Sequence, residues 1–432
     1  LHDALPIFLP SKLVFRKKPG KKGGWPKVRW VICGNFEQKR DDESTYSSGA
    51  DAAALRLLLV TSSRMQWTAG TIDVKTAFLN AVMDQQGQKT LLLVKPPQLF
   101  LEKGYMKLGT YYLPKRAVYG LRRSPKLWGE CRDEGLESME IEVEEETGQK
   151  VLLELLPLES EPNLWRIQSK EDSELENEDS APLPLRGLLM TYVDDILVTG
   201  SSAVVQAVME KIRSTWTTTE PDQVNEVPIK FLGVEISKVF DEKKGRDLWY
   251  MSQSSYIQDL LAQSEKEISE KKVPITRDQG QLPDQEEHRT PELVKLAQKA
   301  TGEMLWLVTR TRIDLMYAVS KMGSNVTKSP RKVLQIYEQI KGYLKKTVYH
   351  GLCFDGAAPE MMMIEAMADA SFAPDGDVSH GAFIIEVGQC PVFWRSGRQS
   401  FVTLSTAEAE MMEVIESMVA GESIGAIADE LF

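Results

Sequence analysis

The stretch Leu188-Leu189-Met190-Thr191-Tyr192-Val193-Asp194-Asp195-Ile196-Leu197-Val198-Thr199 sets two adjacent carboxylates between two apolar arms rich in β-branched residues. Burying unpaired charge is costly, so a pair placed this way calls for cations. The arms predict the two strands of a hairpin and the acidic pair its turn, which holds both carboxylates at one spot on a rigid scaffold. A solvated Asp-Asp turn is the bland alternative, and for an isolated dipeptide it is the better reading.

This pair is not isolated. Upstream, Thr71-Ile72-Asp73-Val74-Lys75-Thr76-Ala77-Phe78-Leu79-Asn80 places one acid among β-branched residues before a helix-compatible stretch, so Asp73 is expected where a strand ends. Three carboxylates suit Mg²⁺ or Mn²⁺, which retain waters and take substrate phosphates as their remaining ligands. Two such ions clamp the attacking and leaving oxygens of a phosphoryl transfer. The chemistry suggested is nucleotidyl transfer, with Asp73, Asp194 and Asp195 as the metal-binding and catalytic residues.

Thr71 to Asn80 and Tyr192-Val193-Asp194-Asp195 resemble the first and third palm motifs of a reverse transcriptase, and Asp-Val-Lys-Thr-Ala-Phe-Leu-Asn is closest to copia-type long-terminal-repeat retrotransposons. Other segments follow in the family's order. Lys27-Val28-Arg29-Trp30-Val31-Ile32-Cys33-Gly34 resembles the fingers strand whose basic residue grips the incoming dNTP, which makes Arg29 the candidate and Lys27 its neighbour; Arg suits a bidentate phosphate contact. Ala117-Val118-Tyr119-Gly120-Leu121-Arg122-Arg123-Ser124-Pro125-Lys126-Leu127-Trp128 is similar to the segment lining the nucleotide pocket, which adds Tyr119 and Gly120. Phe78, five residues after Asp73, stands where the family places the aromatic that blocks a ribose 2′-hydroxyl, although its apolar spacing suits helix core equally. Phe231-Leu232-Gly233-Val234-Glu235-Ile236 looks like the primer-grip hairpin, Met251 to Ile257 falls in the thumb, and Thr311-Arg312-Ile313-Asp314-Leu315 in the connection.

Ala368-Asp369-Ala370-Ser371-Phe372-Ala373 and Leu404-Ser405-Thr406-Ala407-Glu408-Ala409-Glu410 resemble the first strand and first helix of a tethered ribonuclease H, with Asp369 and Glu410 matching its first two acids and Glu408 an alternate. Glu413 and Asp429 read as solvated helix charges. The chain stops before the family's later Asp-containing segments, so the ribonuclease H part is expected to be incomplete and the chain to be a piece of a Pol polyprotein.

Composition agrees, with one discord. The 432 residues are 42% hydrophobic and 27% charged, ordinary for a globular chain of two or three domains. No run is long enough to span a membrane. Four cysteines lie far apart with no Cys-x-x-Cys spacing, which fits a reducing intracellular compartment. The discord is a net charge of −11, because a chain that tracks phosphates usually presents a basic surface. The source is local: residues 134–180 hold 16 acids against 3 bases, a net of −13, so the remainder sums to −11 + 13 = +2. Lys12 to Arg40 carries ten Lys plus Arg against the single acid Glu37, with Trp25 and Trp30 interleaved, as fingers meeting template and triphosphate require. Glu161-Pro162-Asn163-Leu164-Trp165 resembles a family segment within the acidic block, whereas Glu171 to Ser180 has the composition of a disordered loop; Pro19-Gly20 marks a hairpin turn, and Lys266 to Glu292 reads as a linker.

The resemblance implies an α+β right-hand polymerase of fingers, palm and thumb over residues 11–262, with an acidic insertion at about 134–180, then a linker and connection over 263–355 and a partial ribonuclease H-like α/β domain over 356–432. Residues 1–10 are set aside as a scar, since Ala-Leu-Pro-Ile is also what a common sequencing adapter encodes in one frame. Implied partners are an RNA template, a DNA primer, the RNA–DNA hybrid and dNTPs, with two Mg²⁺ or Mn²⁺ ions as cofactors, no membrane, and a cytoplasmic, virus-like-particle location from which the nucleus is reachable. Arg123, Ile313 and Ala81 stand where the family has Gln, Pro and Gly. None of them removes a metal ligand, but they leave open a decayed or domesticated copy that binds nucleic acid without polymerising.

Overall fold

The computed structural model describes residues 6–18, 25–37, 45–83, 91–144, 148–171, 184–225, 227–265, 267–281, 289–356, 363–374, 376 and 378–431. In chain order the first elements are β1 (Ile7–Leu9), β2 (Ser11–Lys18), β3 (Trp25–Ile32), α1 (Ala52–Arg64), β4 (Thr68–Asp73), β5 (Leu92–Val94), α2 (Gln98–Glu102) and α3 (Ser124–Glu137). Then come β6 (Ile141–Glu144), β7 (Lys150–Pro157), β8 (Leu164–Ser169), β9 (Gly187–Tyr192), β10 (Asp195–Gly200), α4 (Ser202–Thr215), β11 (Asp222–Gln223), β12 (Ile229–Phe231), β13 (Val234–Asp241) and β14 (Arg246–Ser252). The remainder is α5 (Ser254–Ala262), α6 (Arg277–Gly280), α7 (Pro291–Val308), α8 (Met316–Asn325), α9 (Pro330–Lys346), β15 (Leu352–Phe354), β16 (Ile364–Ser371), β17 (His380–Val387), β18 (Cys390–Arg398) and α10 (Thr406–Leu431).

A sheet of order β11-β4-β10-β9-β8-β7-β6 organises the molecule, and every pairing in it is antiparallel. Its central strands are apolar on both sides because both faces are covered. In β9 and β10, Leu188, Met190 and Leu197 face one core, while Leu189, Ile196 and Val198 face the other, the period of two that a pleated strand imposes. The second core is closed by α3 and α4. The first is closed by α1, whose Ala53 to Ser63 are buried all round, as a helix apolar on every face must be. The Asp51 carboxylate caps α1 by accepting from Ala53 N at 2.6 Å.

The acidic block is partly sheet. Residues 141–169 supply β6, β7 and β8, and Ile141-Glu142-Val143-Glu144 alternates buried with exposed, so the valine and isoleucine enter the core and the glutamates face solvent. An insertion read from charge alone is, over those residues, an extension of the sheet; the part expected to be a disordered loop lies at 172–180, outside the described residues, as does the Pro19-Gly20 turn. Ile7–Leu9, inside the stretch set aside as a scar, pairs in parallel with β5, and Leu9 is fully buried, so this stretch contributes core whatever its origin.

Two boundaries drawn from sequence cut through packed cores. The helices α5, α7, α8 and α9 share one core through Ile257, Leu260, Met304, Leu315, Met322 and Ile340, so a division at 262 separates a helix from its own bundle. Residues 267–273, read as linker, run along α9: Lys271 N donates to Gly342 O at 3.0 Å and Gln339 Nε2 to Val273 O at 2.8 Å. Likewise β15 completes the sheet β12-β13-β14-β15, and the β16-β17-β18 sheet with α10 packs against α1 through Phe383, Ile385, Trp394 and Ile427. Apolar area that only a neighbour can bury ties these pieces together.

Candidate active site

The catalytic hairpin folds one residue out of the expected register. Tyr192 pairs with Asp195, so the turn is Val193-Asp194, and Asp195 is the first residue of the return strand rather than part of the turn. On its other edge β10 pairs with β4, and there Asp195 lies directly opposite Asp73, the last residue of its strand. The main chain fixes the group from two more directions. Val74 N donates to Asp194 O at 2.8 Å, and Thr219 N donates to Asp73 O at 2.9 Å while Thr219 Oγ1 accepts from Asp73 N at 3.1 Å. Val193 is held at φ +55°, a left-handed conformation that costs a β-branched residue on the order of 1–3 kcal/mol.

The three carboxylates share a cavity of ≈ 960 Å³ with Lys27, Arg29 and Tyr119. Burial first, then the Asp194 and Asp73 charges and a hydrogen bond to Asp73, push the Asp195 carboxyl up to about 6. Asp194 is raised by burial and by Asp73, and Arg29 and Lys27 draw it back. Among the described residues no three His, Cys, Asp or Glu side chains converge as a ready-made metal-ligand set. As donors the three carboxylates fit a divalent cation: hard oxygens from two adjacent strands and the adjoining turn, where Asp194 and Asp195 are harder to ionise than free carboxylates until a cation offsets the repulsion.

Arg29 and Lys27 lie two apart on β3 and so share a face of the β2–β3 ribbon. A close backbone contact aims that ribbon. Ile32 N donates to Tyr119 O at 2.8 Å and Gly34 N to Gly120 O at 3.0 Å. Gly120 sits at φ +96°, and a Cβ there would lie 1.9 Å from Ile32 O, so only glycine fits. Gly120 therefore holds Tyr119 and the ribbon in place without lining the cavity itself. Arg29 stands 5.3 Å from the Tyr119 ring, and burial and the Asp194 charge raise the Tyr119 hydroxyl.

Phe78 is partly buried against the core below the sheet and meets Tyr119 edge-on, with centroids 4.8 Å apart; Leu79, not Phe78, lines the cavity. The residues read as a primer grip form the expected hairpin, with Phe231 opposite Val234 and Leu232-Gly233 as its left-handed turn. Phe231 and Leu232 are buried, however, and the residue that reaches the cavity is Lys230. Lys75, Thr219 and Asp222 also line it. Lys75 belongs to the Asp73 segment, whereas Lys230, Thr219 and Asp222 do not stand out in the sequence, because only the folding of residues 219–231 against β4 brings them there.

Asp369 lies exposed on the edge strand β16, and the Glu410 carboxylate accepts from Ala370 N at 3.0 Å, beside it. Glu408 is occupied elsewhere: it accepts from Leu404 N at 2.6 Å, and its own amide donates to Ser405 Oγ at 3.2 Å, the reciprocal cap of α10. Glu413 is not the solvated charge it was read to be. It is buried against Gly381, where burial raises its carboxyl; Asp429 is exposed.

Residues 4–150 match the family model described as reverse transcriptase (RNA-dependent DNA polymerase), a match that takes in Lys27, Arg29, Asp73, Phe78, Tyr119 and Gly120. Over those residues the chain is similar to the domain of an RNA-directed DNA polymerase, a nucleotidyltransferase by class. More particularly, it is similar to the Retrovirus-related Pol polyprotein from transposon RE1 of Arabidopsis thaliana, 24% identical over 97% of this chain and 26% of that relative. It is likewise similar to the one from transposon TNT 1-94 of Nicotiana tabacum, 23% identical over 95% and 28%. The chain spans about a quarter of the length of these curated relatives. Among solved structures, apo telomerase from Candida tropicalis aligns with 80% of this chain and 63% of its own at 11% identity, but a TM-score of 0.25 carries no argument about the fold.

Proposed function

We propose that the chain polymerises DNA on an RNA template for a copia-type retrotransposon, adding nucleotides to a primer 3′-hydroxyl. The observation that carries this reading is the register that sets Asp73 opposite Asp195, with Asp194 at the adjoining turn and Arg29 and Lys27 in the wall of the same cavity. On this reading the β2–β3 ribbon belongs to the fingers, the β4-β10-β9 sheet is the palm, and the bundle of α5, α7, α8 and α9 is the thumb. Asp73, Asp194 and Asp195 would hold Mg²⁺ or Mn²⁺; two such ions, when bound, acidify the primer hydroxyl and offset charge on the departing pyrophosphate. The chain's own side chains do the rest. Arg29 and Lys27 orient the triphosphate electrostatically, and Tyr119, fixed by Gly120, forms the floor beneath Arg29. Phe78, supporting Tyr119, excludes a ribose 2′-hydroxyl through that contact.

Primer extension on poly(rA)/oligo(dT) with Mg²⁺ or Mn²⁺ tests the reading. Incorporation of dTMP supports it, and tight binding of the primer–template without extension assigns the chain to a nucleic-acid-binding relic instead.

A further inference from the structure

Trp128 belongs to the sequence segment that resembles a nucleotide-pocket wall, yet it is 1% exposed and does not line the cavity. Its indole Nε1 instead donates to Val193 O at 2.6 Å, across 65 residues of sequence. Val193 is the left-handed, β-branched residue of the catalytic turn, and it immediately precedes Asp194. The two carbonyls of that turn are therefore both held from outside the hairpin: Val193 O by Trp128, Asp194 O by Val74 N. The indole is itself clamped. Trp216 meets it edge-on with centroids 5.8 Å apart, and a Cβ at Gly135 would lie 2.6 Å from the Trp216 ring, so the helix α3 that carries Trp128 can approach only because residue 135 is glycine.

We propose that Trp128 is a positioning residue for the polymerase reaction: its indole N–H anchors the strained Val193-Asp194 turn and so fixes where the Asp194 carboxylate points. The turn needs an anchor because a β-branched residue relaxes out of the left-handed region when nothing holds its peptide. An N–H to carbonyl bond is a suitable one, since the indole N–H of the 1% exposed Trp128 would otherwise be left without a partner. This inference rests on the reading of Asp194 as a metal-binding carboxylate, and its test keeps the two separate.

Trp128→Phe removes the N–H and keeps an aromatic ring beside Trp216, while Val193→Gly relieves the turn from the other side. Hydrogen exchange of the peptide spanning residues 190–197 reads the turn directly, with residues 380–387 of β17 as internal control; steady-state extension on poly(rA)/oligo(dT) reads its consequence. In Trp128→Phe the turn peptide exchanges about tenfold faster with the control unchanged, and kcat falls about tenfold, one lost hydrogen bond expressed as rate. The dTTP KM and the primer–template Kd stay within about twofold, because substrate and duplex are bound by other groups. In the Val193→Gly background the same Trp128→Phe change costs less than about threefold, since the strain it restrained is gone. Unchanged turn exchange in Trp128→Phe, a loss spread equally over kcat and Kd, or full additivity of the two substitutions overturns the proposal. Asp194→Asn, run alongside, separates the premises: faster turn exchange in Trp128→Phe together with an active Asp194→Asn would retain the anchor and overturn its role in the reaction.

Discussion

Two sheets in this molecule each offer carboxylates, and they are built to different standards. In the β4-β10-β9 region the acids sit at the ends of interior strands, with both faces of the sheet buried and the turn tied by Val74 and Trp128. In the β16-β17-β18 region Asp369 lies exposed on an edge strand, and Glu410 is the neighbour held to it by one main-chain bond. Carboxylates are easy to place and hard to keep close. Asp194 and Asp195, both raised by burial and by neighbouring acidic charge, stay beside Asp73 only if the surrounding packing outweighs the repulsion, and the first region has that packing on both faces of its sheet.

The largest effect that breaks the comparison is expected at Gly120. A Cβ there strikes Ile32 O, so Gly120→Ala should lift the β2–β3 ribbon from Tyr119, lower extension by at least about a hundredfold and destabilise the fold by about 3 kcal/mol or more. Gly397→Ala, in β18 where no atom lies within 4 Å of the added Cβ, should change stability by less than about 0.5 kcal/mol in the same denaturation experiment. Equal losses at the two glycines would erase the contrast between the regions.

Next in size is ribonuclease H chemistry. With Asp369 and Glu410 the two acids brought together at the edge strand, a labelled RNA strand in an RNA–DNA hybrid should stay intact with Mn²⁺ present, because two-metal hydrolysis needs a further carboxylate in line with the scissile phosphate. Cleavage that vanishes in Asp369→Asn would show the edge-strand pair to be sufficient.

The sugar comes third. Phe78→Val removes the ring that meets Tyr119 edge-on and should raise ribonucleotide over deoxyribonucleotide incorporation about tenfold, roughly one lost aromatic contact in rate terms. Unchanged selectivity would return Phe78 to a packing role alone, the alternative its apolar spacing allows.

The smallest effect is on stability, and its sign depends on which charges surround the carboxylate. Asp195 has a folded pKa of about 6, raised by burial and by the Asp194 and Asp73 charges, above the ordinary value near 4. Between those two values the folded state binds a proton that the unfolded state does not, so the group's contribution to stability falls as pH rises from about 4 to about 6. Asp195→Asn should therefore raise the melting midpoint by about 2 °C at pH 7.5 and lose that advantage below about pH 4. Asp314 behaves oppositely. Burial alone would raise it, but the Arg312 hydrogen bonds at 2.9 and 2.7 Å and the guanidinium charge hold it below its usual range, so it stabilises above about pH 4 and ceases to as pH falls through its folded value.

What the sequence makes legible follows from which residues carry their chemistry in their own neighbourhood. Asp73, Asp194 and Asp195 are readable because β-branched arms flank them, and Lys27 with Arg29 because they alternate along one strand. The one-residue error in the turn comes from charge: a pair of acids looks like solvent-facing turn, whereas Asp195 is held in the ladder by its bonds to Tyr192 and Asp73 on both sides. Lys230, Thr219 and Asp222 are silent because strand order alone brings them to the cavity. Glutamates 142 and 144 mislead because net charge hides a buried-exposed alternation that β6 uses in full. Trp128 is visible as a motif residue but not in its role, since its partner lies 65 positions away.

Asp194→Asn measures the central claim most directly. Extension of oligo(dT) on poly(rA) should fall by at least about a thousandfold, the order of loss for removing a group that stabilises transition-state charge. Primer–template affinity, followed in the same samples by fluorescence anisotropy, should stay within about threefold, because duplex binding is spread over many phosphate contacts. Extension near the wild-type rate would contradict the account and remove the β4–β10 carboxylates from the chemistry.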